Sequence, residues 1–158
     1  MTAKRPSWDR CPETLEVAFH DPENCPLDPA AKVALSDDPR TYKWALFLLR
    51  NMAEFGRQDA GVFLLGLLMT CGDKWEKRTA IVEMLHAVET DACVDVLLGE
   101  LRKVKSTNST RRYLQAVLDA LTCLPSKLVR TKLQAVAEDV SLTPWVQTRI
   151  QAAVDDLR

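Results

Sequence analysis

Glycine is scarce in this chain, five residues in 158, and histidine scarcer still, with two. So little glycine leaves no phosphate-cradling loop, and β-branched clusters between turn signals are few, which favours helix over sheet. His20 and His86 are too few to run acid–base chemistry, and His86, inside a helical stretch, has the setting of a packing or surface residue. There is no nucleophile elbow and no zinc-protease signature. Asp37-Asp38 and Asp155-Asp156 are sequence neighbours that mark a helix start and a helix end. The expectation is a protein that is not an enzyme.

Long apolar runs are missing too. The longest, Val62 to Met69, is interrupted by Gly66 and is far too short to span a membrane. Residues 1–8 hold no apolar core, so no secretory signal is expected. The five cysteines are odd in number and irregular in spacing, which excludes a disulfide framework and points to a reducing cytoplasm. Cys11, His20 and Cys25 share a proline-rich stretch but offer no Cys-x-x-Cys pair and no fourth ligand. No metal and no cofactor is expected. Cys71, Cys93 and Cys123 fall in or at the ends of helices, where a free cysteine is usually a small buried apolar side chain.

What is present is an ordinary folded composition, 47% hydrophobic and 27% charged, at a length that fits one domain with a sizeable core. The net charge of -1 is unevenly spread: residues 100–158 carry ten Lys/Arg against six Asp/Glu, while residues 1–40 carry five against eight. That gradient is compatible with an acidic partner at the C-terminal end and equally with solvation alone, and the balance is far from that of a dedicated nucleic-acid binder.

Punctuation divides the chain at residue 37. Residues 1–37 hold Pro6, Pro12, Pro22, Pro26 and Pro29 and two short helical candidates, Glu13 to His20 and Pro29 to Leu35, the second with Asp28 as its N-cap. This segment is expected to be an arm or cap. Residues 38–158 read as seven helices with conventional ends. Asp38-Pro39 opens the first and Gly56 follows it. Asp59 starts the second, which Gly72 stops, and Asp73 opens the third. Thr90 or Asp91 starts the fourth, which ends basic at Arg102-Lys103-Val104-Lys105. The fifth covers 110–123, Ser126 caps the sixth, and Thr143-Pro144 starts the last.

One apolar skeleton recurs along these helices. Ala80-Ile81-Val82-Glu83-Met84-Leu85 leads through Thr90-Asp91-Ala92 to Val96-Leu97, and Ala116-Val117-Leu118-Asp119-Ala120-Leu121 leads through Ser126-Lys127-Leu128 to Lys132-Leu133. An earlier copy runs from Leu48 through Asp59-Ala60 to Leu64-Leu65, and Ala152 to Leu157 is a final half-copy. The spacing of roughly 32 to 36 residues is that of helical-pair repeats. Short turns force paired helices antiparallel, and a pair that cannot cover its own apolar faces must stack on the next.

The stretch Glu76 to Leu85 with Asp91-Ala92 and Val96-Leu97-Leu98 resembles a HEAT or HEAT-like repeat, and Trp145 to Leu157 resembles a first helix of one. The resemblance covers about 38–158. It departs at Lys43-Trp44, where an arginine is usual, and at Leu124-Pro125-Ser126, which lacks the aspartate of the turn. It implies an all-α fold, an α-α superhelix of about three hairpins plus a terminal helix, working as a scaffold or adaptor for another protein. Two other functions occur among HEAT-like proteins: duplex binding by DNA-glycosylase relatives, and bilin lyase or accessory activity in phycobilisome-linked members.

If second helices carry the binding surface, the candidate residues are Asp95, Arg102, Lys127, Arg130 and Gln134, within a wider basic set of Lys103, Lys105, Arg111, Arg112 and Lys132. Lys127 and Arg130 share a helix face. The expected partner is another protein, acidic in character, rather than nucleic acid or a membrane, and the chain is expected as a monomer or a homodimer. Trp44, Trp75 and Trp145 stand near the starts of first helices, where packing between repeats is their ordinary role, and Trp8 lies beside Arg5 and Arg10 on the arm. The helix over 60–71 is apolar nearly all round. The N-terminal Leu15, Phe19, Val33 and Leu35 are expected to cover it, the alternative being another chain.

Overall fold

The computed structural model describes residues 11–157, and these are all-helical, with nine α-helices, two single 3₁₀ turns and no strand. Trp8, with Arg5 and Arg10, lies outside the described residues. The helices are α1 (Glu16–His20), α2 (Asp28–Ala34), α3 (Pro39–Glu54), α4 (Gln58–Thr70), α5 (Trp75–Val82), α6 (Asp91–Lys103), α7 (Arg111–Cys123), α8 (Ser126–Ala137) and α9 (Pro144–Asp156). The described residues form two compact units, divided between Val88 and Glu89.

In the first unit α3 is the central rod. Asp38 accepts a hydrogen bond from the Arg40 amide at 3.0 Å, Pro39 occupies the first turn, and Gly56, at φ 84°, ends the helix in the left-handed region. Tyr42, Trp44, Leu46, Leu48, Leu49 and Met52 are buried around its circumference. Trp44 meets Phe47 edge to face, with ring centroids 6.1 Å apart. The helix is covered by α2, α4 and α5.

The N-terminal segment therefore covers α3, its chief neighbour, rather than the helix at 60–71. Leu15 is buried and Leu35 is exposed. Polar ties add to the packing: Arg57 Nη1 donates to the Cys25 carbonyl at 2.5 Å while Nη2 pairs with Asp59 at 2.8 Å, Lys77 donates to the Ser36 carbonyl at 2.8 Å, and Lys74 pairs with Asp37 at 2.6 Å. The pairing with Arg57 holds the Asp59 carboxyl below the usual carboxylate range. Asp59 lies inside α4, one position past the start, and serves Arg57 rather than a helix end. Asp28 likewise sits within the first turn of α2, with Leu27 at the cap position. There its charge still suits the helix dipole.

Helix α4 buries Ala60, Gly61, Leu64, Leu67 and Leu68 and leaves Val62 and Met69 exposed. At Gly61 a β-carbon would stand 3.1 Å from Val88 Cγ1, so the missing side chain lets the end of the unit close on the helix. Arg78 of α5, buried, turns back to the C-terminus of α4 and donates from Nη1 to the carbonyls of Leu68 and Gly72, both at 3.1 Å. The Leu68 carbonyl is among those that a helix end leaves without an amide partner, and that of Gly72 belongs to the turn that follows.

The third predicted helix is shorter than its apolar pattern. It stops at Val82, and a 3₁₀ turn over Leu85–Ala87 follows. The His86 ring bonds through Nδ1 to the Glu83 carbonyl at 2.9 Å, and the backbone tightens to Ala87 N–Met84 O and Val88 N–Leu85 O bonds.

In the second unit Thr90 caps α6 by accepting from the Cys93 amide at 3.2 Å. Thr110 orders the loop before α7: its hydroxyl donates to the Lys105 carbonyl at 2.5 Å and accepts from the Thr107 amide at 2.8 Å. Ser126 is the first residue of α8 and makes no capping bond, with Pro125 preceding it. Helix α6 packs on α7 and α8, and α9 on α8 and α7. Lys132 of α8 reaches Asp95 near the start of α6, while Arg102, near the end of α6, reaches Asp139 just past the end of α8. Helices α6 and α8 thus run side by side in the same direction. Arg111 and Trp145, in the first turns of α7 and α9, lie together. The unit is two layers deep, α6 with α8 and α7 with α9.

Between α6 and α7 sits a buried carboxylate. Tyr113 donates its hydroxyl to Glu100 Oε2 at 2.9 Å, and Lys103 pairs with Glu100 Oε1 at 2.9 Å. Both Glu100 and Tyr113 are about 1% exposed, so neither polar group exchanges freely with water.

Candidate interaction surface

The α6–α8 side carries the five residues expected from sequence, and the structure treats them unequally. Asp95 accepts from Lys132 Nζ at 2.8 Å, with Asp91 also near that ammonium at 3.3 Å. The bond to Asp95 holds Lys132 protonated beyond the ordinary lysine range. Arg102 lies 3.8 Å from Asp139, whose carboxyl is held low first by its bonds to Ser141 and then by Arg102. The charges of Asp95 and Arg102 are thus matched within the unit. Arg130 donates through Nη2 to the Leu157 carbonyl at the end of α9. Lys127 and Gln134 are exposed and make no hydrogen bond or ion pair among the described residues. Lys127, Arg130 and Gln134, at i, i+3 and i+7, form one exposed stripe along α8.

The rest of the basic set divides the same way. Lys103 serves the buried Glu100, and Lys132 the two aspartates. Lys105 and Arg112 are exposed. Arg111 belongs elsewhere: its guanidinium carbon lies 5.7 Å from the centroid of the Trp145 ring, and that of Arg149 lies 5.4 Å from the same centroid. Beside this ring an open groove of about 480 Å³ runs along α9, lined by Pro144, Trp145, Thr148, Arg149 and Ala152. Neither arginine has an ion-pair partner among the described residues. Trp145 is half-buried, whereas Trp44 is fully buried and Trp75 carries Arg78 over its ring at 5.5 Å.

A sequence signal for this groove existed, since Trp145 and Arg149 stand at i, i+4 on one helix. Arg111, 34 positions before the tryptophan, does not line the groove and reaches the same ring only because α7 and α9 pack with their first turns together.

The cysteines are all free, and they differ in reach. Cys25 and Cys93 are buried, Cys11 and Cys71 half-buried, and Cys123 exposed. Cys123 thus departs from the buried role expected of it. Burial pushes the Cys93 thiol up to about 12 and raises that of Cys71. A disulfide reagent applied near neutral pH should modify Cys123 first and leave Cys93 protected until the chain unfolds. Mass spectrometry of the labelled peptides reads the order, and labelling of Cys93 as fast as Cys123 would contradict the packing of α6. Cys11, His20 and Cys25 do not converge, and among the described residues no group of three or more His, Cys, Asp or Glu is placed to hold a metal. No helix among those residues is long and apolar enough to cross a membrane.

No family model, no curated protein and no solved structure matches this chain.

Proposed function

We propose that this chain is a non-enzymatic scaffold or adaptor of HEAT-like type, stacked as a short α-α superhelix, which binds an acidic protein through the exposed stripe of α8. The observation that carries this reading is the register of the second unit. Its second helices α6 and α8 run side by side in one direction, and Lys127, Arg130 and Gln134 face solvent on α8. Repeat stacking produces that arrangement, because each pair covers the apolar side of its neighbour and leaves one polar side free. The titratable side chains that are buried support it too. Arg78 and Glu100 are tied to structural partners, so the charge left to act on other molecules is at the surface.

The test is co-purification from the native host with wild type and with the double variant Lys127→Glu, Arg130→Glu. Loss of Lys127 removes no internal bond, and Arg130 gives up one exposed bond to the Leu157 carbonyl, so stability should fall by less than about 1 kcal/mol. The wild type is expected to retain acidic proteins that the variant loses. Identical sets of retained proteins would move the interface off α8.

A further inference from the structure

We propose that the Trp145 groove is a second binding site, for a short acidic peptide segment whose carboxylates pair with Arg111 and Arg149 and whose apolar side chain lies against the indole. It is separate from the α8 stripe and does not depend on it.

Two guanidinium groups approach the same ring within 5.7 Å. Each is attracted to the indole face, but they repel each other, and among the described residues no carboxylate neutralises either one. The local potential is therefore positive, and an anion paired with either arginine relieves it. Guanidinium matches carboxylate in a paired, planar fashion, so a peptide acid gains direction as well as charge. The other parts of the groove select for more than charge. Pro144, Ala152 and the half-buried face of Trp145 form an apolar floor, and the Thr148 hydroxyl is already bonded to the Pro144 carbonyl at 2.9 Å. An acidic residue next to Leu or Phe fits this combination of forks and floor.

A single-stranded nucleic acid also uses arginine and an aromatic ring, and it is the rival to exclude. Two features of the groove and its helix favour the peptide. The groove, of about 480 Å³, is a local site rather than a charged track. Along the same helix Asp155 and Asp156 are exposed, and they would repel a phosphate backbone that continued in that direction.

The test uses the full chain and fluorescein-labelled peptides in which Asp or Glu flanks Leu or Phe, with Lys-substituted controls and a labelled oligothymidine. Anisotropy gives affinity at low salt, and tryptophan emission reports contact with the indole. Acidic peptides should bind over their lysine controls and change the emission, and the change should vanish in Trp145→Phe. Arg111→Glu with Arg149→Glu should weaken binding by about tenfold or more. Lys127→Glu with Arg130→Glu should leave it within about twofold, which separates this site from the α8 stripe. Circular dichroism checks that each variant is folded, and Arg111→Gln with Arg149→Gln provides a milder pair if charge reversal unfolds the chain. The proposal is overturned if no acidic peptide exceeds its control, if neither arginine pair affects binding, or if the oligothymidine binds more tightly than every acidic peptide.

Discussion

Arg78→Ala is expected to lower the free energy of unfolding by about 3 kcal/mol, since hydrogen bonds to a charged group contribute about 1.5–3 kcal/mol and this guanidinium makes two to carbonyls. The Leu68 carbonyl lies in the last turn of α4, where the helix has no amide of its own to offer it, and the Gly72 carbonyl lies in the turn just beyond. Removing the side chain leaves them to find water beneath a buried position, and the contact with Trp75 is lost as well. Arg78→Lys should recover little, because one ammonium on a flexible stem cannot reproduce the planar fork or its place over the ring. Urea unfolding followed by circular dichroism measures the change as a lower midpoint at constant slope. A loss below about 1 kcal/mol in the alanine variant would show that the end of α4 is satisfied by other means.

Tyr113→Phe is the second large effect, at about 2 kcal/mol, because it removes a donor from a carboxylate that water cannot reach. The ring itself still fills its place between α6 and α7, so the loss reports the hydroxyl alone. Lys103 continues to pair with the other oxygen of Glu100, which keeps the cost below that of a wholly unpaired buried charge. A double-mutant cycle with Glu100→Gln isolates the pair, and the two changes together should cost less than their sum by more than about 0.5 kcal/mol. Strict additivity would mean that the hydroxyl and the carboxylate do not depend on each other.

Helix positions were legible in the sequence because their ends are written in local chemistry. Asp38-Pro39, Gly56, Gly72 and Thr90 each act through neighbours within a few residues, and each is found at a helix end. Asp28, Asp59 and Ser126 have the same composition but other surroundings. They lie inside the first turn, since a preceding residue in a suitable conformation began the helix earlier. The break at Val82 was hidden by an apolar pattern that continues past it, while the tight backbone bonds and the bond from the His86 ring to the Glu83 carbonyl that accompany it are visible only in the structure.

Long-range partners were the illegible part. Nothing near Asp95 announces Lys132, 37 positions on, and nothing near Arg102 announces Asp139, yet these pairs decide which charges remain available. The same holds for the arm, whose apolar residues were matched to the most apolar helix. Coverage follows packing rather than hydrophobicity, and α2 lies chiefly against α3. Val62 and Met69 stay exposed on α4.

The central claim is that this chain works through charge displayed on the surface of stacked helices. It is tested most directly by the equilibrium affinity of a co-purified partner for wild type and for Lys127→Glu, Arg130→Glu, each titrated at low and at physiological salt. The affinity of wild type should weaken as salt rises, and the variant should lose about tenfold or more at low salt while remaining folded, with stability lowered by less than about 1 kcal/mol. Equal affinities in the two proteins, insensitive to salt, would contradict it.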